Sequence, residues 1–579
     1  MIAEMVCAMR EGTTLDPAAA LAFSDRVRQV VMARIQRLAD PVRALLAVAA
    51  VIGREFEFAM IVRAAQLSAR DAAASIEELV RRRMLHAIDD RFEFTHAWIR
   101  EVIYASLLSP RRQLLHGEVA IAYEDTEPRN DERLLSTLVH HYSMAKIWNK
   151  AAAYARRAGE QALLRCAYAE SAALFENARV ALERLPWDAE VARETIDVRV
   201  RLHRSLMPTG IAAPTIENLR EAETLLERVD DPARRAAVLL CVSEYARWTG
   251  HYERAIDSGY RALNAAAACA DSNLVALARF HIGQAEFWKG RYRTAISILR
   301  QSVVDADSST EPSRSTVIFP ATASRNFLAL ALASIGQFDE ARRAATEAIK
   351  SAEEIDDLLG QVAAHRALGL VLVEQGDFDN AVPLLERALQ DCEQWHFDLH
   401  YGLVAGGLGY AYALSGRPDE GVSLMQRAVE QRRSLRGDYP GAQGAYLLTR
   451  LGEGCLLARR IADAAVYAER AADLARTYDH RIDEAWSLRL EGDLAARKGL
   501  VDVEEAETLY LRSRAIAAAH EMAPFVAHCD LRIGKLHALV HDDGRSRTAL
   551  RRARKAFGEL KMPYWTDRAQ QTLMRIAHA

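Results

Sequence analysis

The stretch GLVLVEQGDFDNAVPLLERAL, residues 369–389, carries the pattern on which the fold turns. Gly369 is followed seven residues later by Gly376, then two on by the ring of Phe378, three on by Ala381 and four on by Leu385. GQAEFWKGRYRTAISIL (283–299) and GYAYALSGRPDEGVSLMQRAV (409–429) keep the same frame. Their ring positions hold Tyr292 and Pro418, their small positions Ala295 and Gly421, and their large apolar positions Leu299 and Met425. Looser copies occupy 159–178, 243–262, 329–348 and 452–471, and copies with short insertions occupy 492–510 and 534–556. The anchors Gly283, Ala329, Gly369, Gly409, Gly452, Gly492 and Gly534 lie 40 to 46 residues apart.

That spacing has a direct physical reading. The first Gly and the small residue after the turn belong where two antiparallel helices cross, because only a minimal side chain lets the backbones approach. The second Gly ends the first helix by accepting a left-handed conformation, and the ring residue packs into the turn. One such hairpin cannot bury its apolar stripe alone, so neighbours must stack into a superhelical solenoid. The pattern resembles tetratricopeptide repeats from about residue 135 to the end. The family period is about 34 residues; the longer step here predicts helices extended by a turn or more. The expected fold class is therefore all-α: a tetratricopeptide-like solenoid of period near 40, preceded by a small winged-helix-like domain.

Bulk composition agrees. A chain of 579 residues exceeds a single compact core. Half of it is hydrophobic and 27% charged, as in ordinary globular chains. A net charge of −4 gives no global electrostatic case for nucleic acid. The cysteines at 7, 166, 241, 269, 392, 455 and 529 are odd in number and scattered, which argues against disulfides or a zinc site and for a reducing compartment. MIAEMVCAMREG lacks the basic start of a signal peptide, and the longest apolar run, Ala44–Gly53, is too short to span a bilayer. The expected location is the cytoplasm, away from membranes.

Residues 24–130 read differently, with 1–23 as a remnant or linker helix and 131–579 as the solenoid. SDRVRQVVMARIQRLADPVRALLAVAAVIGREFEF reads as two helices, Ser24 capping the first and Asp40-Pro41 opening the second. FAMIVRAAQ and ARDAAASIEELVRRRMLHAI add two more. Asp89-Asp90 then turns LHAI back on RFEFTH as a hairpin, followed by the helix HAWIREVIYASLL, which is a winged-helix order. VVMARIQRLADPVRALLAVAAVIGREFEF, FEFTHAWIREVIYASLLSPRRQLLH and AAAYARRAGEQALLRCAYAESAALFENA resemble the region after the nucleotide-binding domain of large signal-transduction ATPases. SRNFLALALASIGQFDEARRAATEAI onward looks most like the branch fused to class III adenylate or guanylate cyclases. The resemblance covers nearly the whole chain and is strongest over 25–185 and 320–430.

The sequence contains no GxxxxGK[ST] and no acidic run after an apolar strand, so it offers no triphosphate cradle or Mg²⁺ site. The expectation is a non-catalytic chain without cofactor, either a C-terminal part of such an ATPase or a homologue without its motor. The resemblance implies that His96, with Arg100, senses a nucleotide held by another module. Ala97 stands where the family has Asp, and a His capping the following helix is the alternative. VRRRM (80–84) and SPRRQLLH (109–116) could touch DNA, but Glu77, Glu78, Asp89, Asp90 and Glu101 offset them. His140-His141 has no third ligand at helical spacing and reads as core or surface histidines.

The remaining candidate surface is the concave groove. Offsets of −6, −3, +1 and +4 from each crossing Gly select Phe280, Gln284, Phe287, Asn326, Arg366, Tyr410, Tyr446, Glu453, Trp486, Arg489, Asp493 and Lys535. Mixed aromatic and charged side chains along a groove suit a protein, a peptide or a small effector. Three functions remain in competition: a regulatory scaffold in an ATPase, cyclase or transcription-regulator system, a DNA-binding regulator acting through the head, and a fragment of an ATP-dependent cyclase-type protein.

Overall fold

The computed structural model describes residues 28–126, 132–209, 212–308, 319–436, 444–497 and 502–578; the expected linker over 1–23 and the Ser24 cap lie outside them. The chain divides into two compact units, one up to Val198 and one from Arg199 on.

The first unit begins with α1 (28–36) and α2 (Asp40–Ile52), the latter opened by Pro41 as its sequence requires. It continues through β1 (Glu55–Glu57), α3 (Phe58–Ala64), α4 (Ala69–Arg81), β2 (Leu85–Ile88), β3 (Arg91–Phe94), α5 (Ala97–Ser106) and α6 (Ser109–Thr126). The strands form one antiparallel sheet in the order β1-β3-β2, with Phe56 opposite Phe92 and Leu85 opposite Phe94. Asp89 takes the turn at φ +50, a left-handed conformation that Asp tolerates. The sequence reading ran α2 through to Phe58. The helix instead stops at Ile52, and Glu55-Phe56-Glu57 alternates exposed and buried as a third strand. Leu46, Ile61, Leu79 and Val119 are fully enclosed and tie the helices to one core. Helices α7 (Glu132–Met144), α8 (Trp148–Leu164) and α9 (Tyr168–Leu182) follow in the same unit, and α10 (Ala189–Thr209) crosses into the next.

The second unit continues with α11 (Ala212–Leu226) and then eight helical hairpins among the described residues. These are α12 (Pro232–Trp248) with α13 (Tyr252–Ala268), α14 (Ser272–Trp288) with α15 (Tyr292–Asp307), and α16 (Pro320–Ser334) with α17 (Phe338–Glu354). Next come α18 (Leu358–Gln375) with α19 (Phe378–Gln394), α20 (Asp398–Leu414) with α21 (Pro418–Arg436), and α22 (Gly444–Leu457) with α23 (Ile461–Thr477). Last are α24 (Arg481–Ala495) with α25 (Val503–Ala519), α26 (Ala523–Leu539) with α27 (Asp543–Glu559), and a closing α28 (Pro563–His578). This is an all-α solenoid.

The repeat frame acts as its chemistry dictates. Gly250, Gly290, Gly336, Gly376 and Gly416 end the first helix of a hairpin at φ between +78 and +99. The amide of Arg291 then donates to Glu286 O at 2.9 Å, closing the cap. The first Gly makes room for the large apolar residue of the partner helix. A Cβ at Gly283 would lie 2.6 Å from Leu299 Cγ, and one at Gly369 2.6 Å from Leu385 Cγ. Where the small position is Ser, its hydroxyl donates across the crossing: Ser171 to Gly159 O and Ser546 to Gly534 O, both at 2.8 Å.

The solenoid also closes on itself. The turns that end α12 and α14 meet turns 230 residues later: Gly250 O accepts from His480 Nε2 at 3.0 Å, and Gly290 O from His520 Nδ1 at 3.1 Å. Further along, Trp565 Nε1 donates to Glu374 O at 3.2 Å, and Tyr564 packs edge-on against Phe378. First helices of the hairpins therefore face a closed interior rather than an open trough.

Candidate ligand cavity inside the solenoid

Because α14, α16, α18, α20, α22, α24 and α26 all present one side to this interior, their inward residues surround a cavity of about 140 Å³. Its wall is aromatic on one side: Phe287, Trp288, Tyr446, Trp486 and Phe525. Trp486 meets Phe525 edge-on at 4.6 Å and Tyr446 at 5.7 Å. On the other side α20 brings Gly402, Gly406 and Gly407; a Cβ at Gly406 would meet Leu447 at 2.6 Å and one at Gly407 Leu370 at 2.9 Å, so the glycines let these leucines pack close against α20. The arginines of the wall are Arg366, Arg450 and Arg489.

Two of these are committed. Arg450 Nη2 donates to Glu374 Oε1 at 2.5 Å and its Nη1 to Glu453 Oε2 at 3.3 Å. Arg489 Nη2 donates to Glu453 Oε1 at 2.6 Å. Their guanidinium planes also lie over rings: Arg450 is 4.0 Å from Tyr410 and 4.1 Å from Trp486, and Arg489 4.3 Å from Phe525. Burial alone would raise the Glu453 carboxyl, but Arg489, Arg450 and Arg532 together hold it down at about 2. Arg532 extends the network, its Nε donating to Asp493 at 3.0 Å while Tyr510 donates to the same carboxylate at 2.7 Å. His528 stays neutral beside these cations because burial and their charge both disfavour its protonated form.

Arg366 is different. It is 9% exposed, lines the cavity, and makes no hydrogen bond or ion pair among the described residues. Burial is the dominant influence on its guanidinium and disfavours the charge.

The twelve groove residues chosen by offset separate into layers. Phe287, Arg366, Tyr446, Trp486 and Arg489 line the cavity. Tyr410, Glu453 and Asp493 are buried just behind it in the ion network. Phe280, Gln284 and Asn326 are buried elsewhere, Phe280 packed on Phe327, with Gln284 Oε1 and Asn326 Oδ1 lacking a partner. Lys535 is accessible by surface area yet ringed by protein; this partial withdrawal from water, then Arg532 and Arg568, push its ammonium down to about 8.

Fixed offsets missed Trp288, Glu374, Arg450, Phe525 and His528. The lining position drifts along the solenoid. Phe287 lies four residues after its anchor Gly283, Arg366 three before Gly369, Tyr446 six before Gly452, and Phe525 nine before Gly534. Each hairpin is rotated on the last, so the cavity meets successive helices nearer their starts. The one legible signal was GLVAGGLG, a glycine density in α20 greater than one crossing needs.

In the first unit, His96 sits exposed at the start of α5 and its side chain makes no capping hydrogen bond. Arg100 turns inward, its Nε donating to Ala50 O at 3.2 Å. The two are not brought together. Arg81 and Arg82 of the basic stretch both pair with Glu78. His140-His141 does acquire a neighbour that helical spacing could not reveal: buried His116 from α6, whose Nδ1 is 2.8 Å from His141 Nδ1. Tyr104 OH lies 2.9 Å from the other nitrogen of His116. Hydrogen bonding thus engages both His116 nitrogens, and the nearby Arg112 and Arg100 charges oppose a further cation.

The described cysteines are free thiols, and Cys7 lies outside the described residues. Among the described residues no helix is long and apolar enough to cross a membrane.

Comparison with known proteins bears on the fold. No curated protein matches the chain. Among solved structures, similar folds include a Rap protein complexed with competence and sporulation factor, at 14% identity and TM-score 0.48, covering 64% of this chain and 98% of that one. Another is NprR in complex with its cognate peptide NprX, at 13% identity and TM-score 0.42, covering 62% and 96%. A third is a signal transduction ATPase with numerous domains from Pyrococcus horikoshii, carrying a tetratricopeptide repeat sensor, at 14% identity and TM-score 0.32, covering 95% and 67%. Residues 320–394, which span the hairpins α16–α17 and α18–α19, match the tetratricopeptide repeat family.

Proposed function

We propose that this chain is a non-catalytic, cytoplasmic regulatory protein whose solenoid interior binds a peptide, a segment of a protein partner or a small effector. The observation that carries this is the cavity wall, in which the rings of Phe287, Trp288, Tyr446, Trp486 and Phe525 and an uncommitted guanidinium converge. Rings and fork-shaped donors of this kind orient a ligand, as binding sites require. The system served is a signal-transduction ATPase or cyclase, or a transcription regulator, and a separate ATPase or cyclase module is among the partners proposed. Residues 28–126, with their helix–strand–helix–helix–hairpin order, are read as a winged-helix-like head. Duplex binding by that head is the weaker reading, because Arg81 and Arg82 are both already held by Glu78.

The test is a thermal-shift screen of the whole chain against a panel of peptides and metabolites, with hydrogen exchange on each hit. A ligand of the proposed kind slows exchange in α18, α22 and α24, and its effect is lost in Tyr446→Ala. Hits that protect only α2 to α6, or none that protect the solenoid interior, would refute the reading.

A further inference from the structure

We infer that the cavity takes a ligand bearing a single carboxylate on an apolar group of about one ring, with Arg366 as the group that binds the carboxylate. This rests on the cavity being the ligand site, as proposed above.

The argument begins with an imbalance. Arg450 pairs with Glu374 and shares Glu453 with Arg489, whereas Arg366 has no partner among the described residues. A charge that is nine-tenths buried without a counter-ion is costly, and buried charges are as a rule paired. Nε of Arg366 is sealed from water and unbonded, so the terminal nitrogens are what the side chain offers to the cavity it lines. A planar guanidinium fork matches a carboxylate or a phosphate.

The rest of the wall chooses between those. Glu374 and Asp483 also line the cavity, so a phosphate dianion would bring excess negative charge beside them, while one carboxylate balances one guanidinium. The space of about 140 Å³ is close to the roughly 150 Å³ cavity that accommodates benzene. Phe287, Tyr446, Trp486 and Phe525 give that ring apolar and edge-on contacts. A chain terminus ending in Phe and a free aryl acid share this chemistry.

Four probes separate the sources, each titrated calorimetrically into the whole chain: phenylacetate, phenylacetamide, and N-acetyl-Gly-Gly-Phe as the free acid and as the amide. At least one acid is expected to bind about tenfold or more tighter than its amide, as a charge-assisted pair requires. Discrimination by the peptide alone identifies a chain terminus, and by phenylacetate alone a small effector; either supports the proposal. In Arg366→Met the acid–amide difference disappears, and in Arg366→Lys it is reduced. Without ligand, Arg366→Met melts at a higher temperature than the parent, because an uncompensated charge has left the interior.

If acids and amides bind alike, the carboxylate assignment falls while the cavity remains the ligand site. Binding by none of the four, or a lower melting temperature for Arg366→Met, also overturns it.

Discussion

Replacing Gly409 with Ala adds one methyl group at the point where α20 crosses α21. The new Cβ would lie 2.7 Å from Gly421 O, 2.6 Å from Met425 Cγ and 3.3 Å from Met425 N. Carbon makes favourable contact at about 3.5 Å, so the backbone oxygen is closer than that by nearly an ångström. Met425 can rotate away, but Gly421 O cannot, and the helices must part. Opening a packed crossing costs about 1–3 kcal/mol. Against this stands the usual gain of about 0.5–1 kcal/mol when Ala replaces Gly inside a helix. The net expectation is a loss of up to about 2.5 kcal/mol. Gly558 supplies the control: it lies in α27 with nothing within 4 Å of its would-be Cβ, so Gly558→Ala keeps only the gain. Urea unfolding of the two variants should therefore shift in opposite directions, with faster hydrogen exchange in α20 and α21 for Gly409→Ala. Stabilisation of both variants alike would show that the crossing is not as close as the repeat frame requires.

Glu453→Gln removes the carboxylate shared by Arg450, Arg489 and Arg532, and stranding buried guanidinium groups is expected to cost about 3–5 kcal/mol; an unchanged urea midpoint would contradict the network. Gly376→Ala forces a side chain to φ +85 and places its Cβ 2.7 Å from Tyr564 Cβ. The left-handed strain alone is worth about 1–2 kcal/mol, and faster exchange of the Trp565 indole proton is the expected sign that α28 has loosened from α18. Acid should weaken the fold through its buried histidines. Burial holds His116 and His281 down to about 4 and His141 to about 3, all below the unfolded value near 6.5. The native state therefore binds fewer protons, so this stability is complete above pH 6.5 and declines as pH falls toward 4. The slope is at most about 1.4 kcal/mol per pH unit for each histidine. Urea midpoints between pH 7 and 4.5 check it, with His281→Asn expected to flatten the decline.

The hairpins were legible because their determinants are local. Gly283 and Leu299, or Gly369 and Leu385, are sixteen residues apart in sequence and face each other through a single turn, so a recurring frame reports the contact directly. Left-handed turns were only half visible. Gly290 and Gly376 announce themselves, whereas Asp356, His396, Asp479 and Glu521 adopt φ between +50 and +57 without any glycine to mark them. Asp and His tolerate that region better than most residues, but they occur too often elsewhere to mark a turn as glycine does. The third strand of the head was lost for a related reason. Its three residues are too few to display a period, and Phe56 is recognisable as a strand residue only through its partner Phe92, thirty-six positions away.

The cavity sits at the far end of that scale. Choosing residues by offset presumes that every hairpin meets the axis at the same height, which holds for a straight stack. Here the stack winds until Gly250 and Gly290 touch residues 230 positions later, and the winding displaces the inner surface from the ends of early helices to the starts of late ones. Arg366 was found because α18 lies midway along the winding, where the offset and the true height coincide. Phe525 was missed because α26 lies at its end. The pairing of Arg450 with Glu374, seventy-six residues and two hairpins apart, likewise follows from the winding of the stack and not from either helix. What separates a charged residue that holds the solenoid together from one that faces a ligand is whether the stacked hairpins bring it a counter-ion. Stacking does so for Arg450 and Arg489, through Glu374 and Glu453, and leaves Arg366 without one.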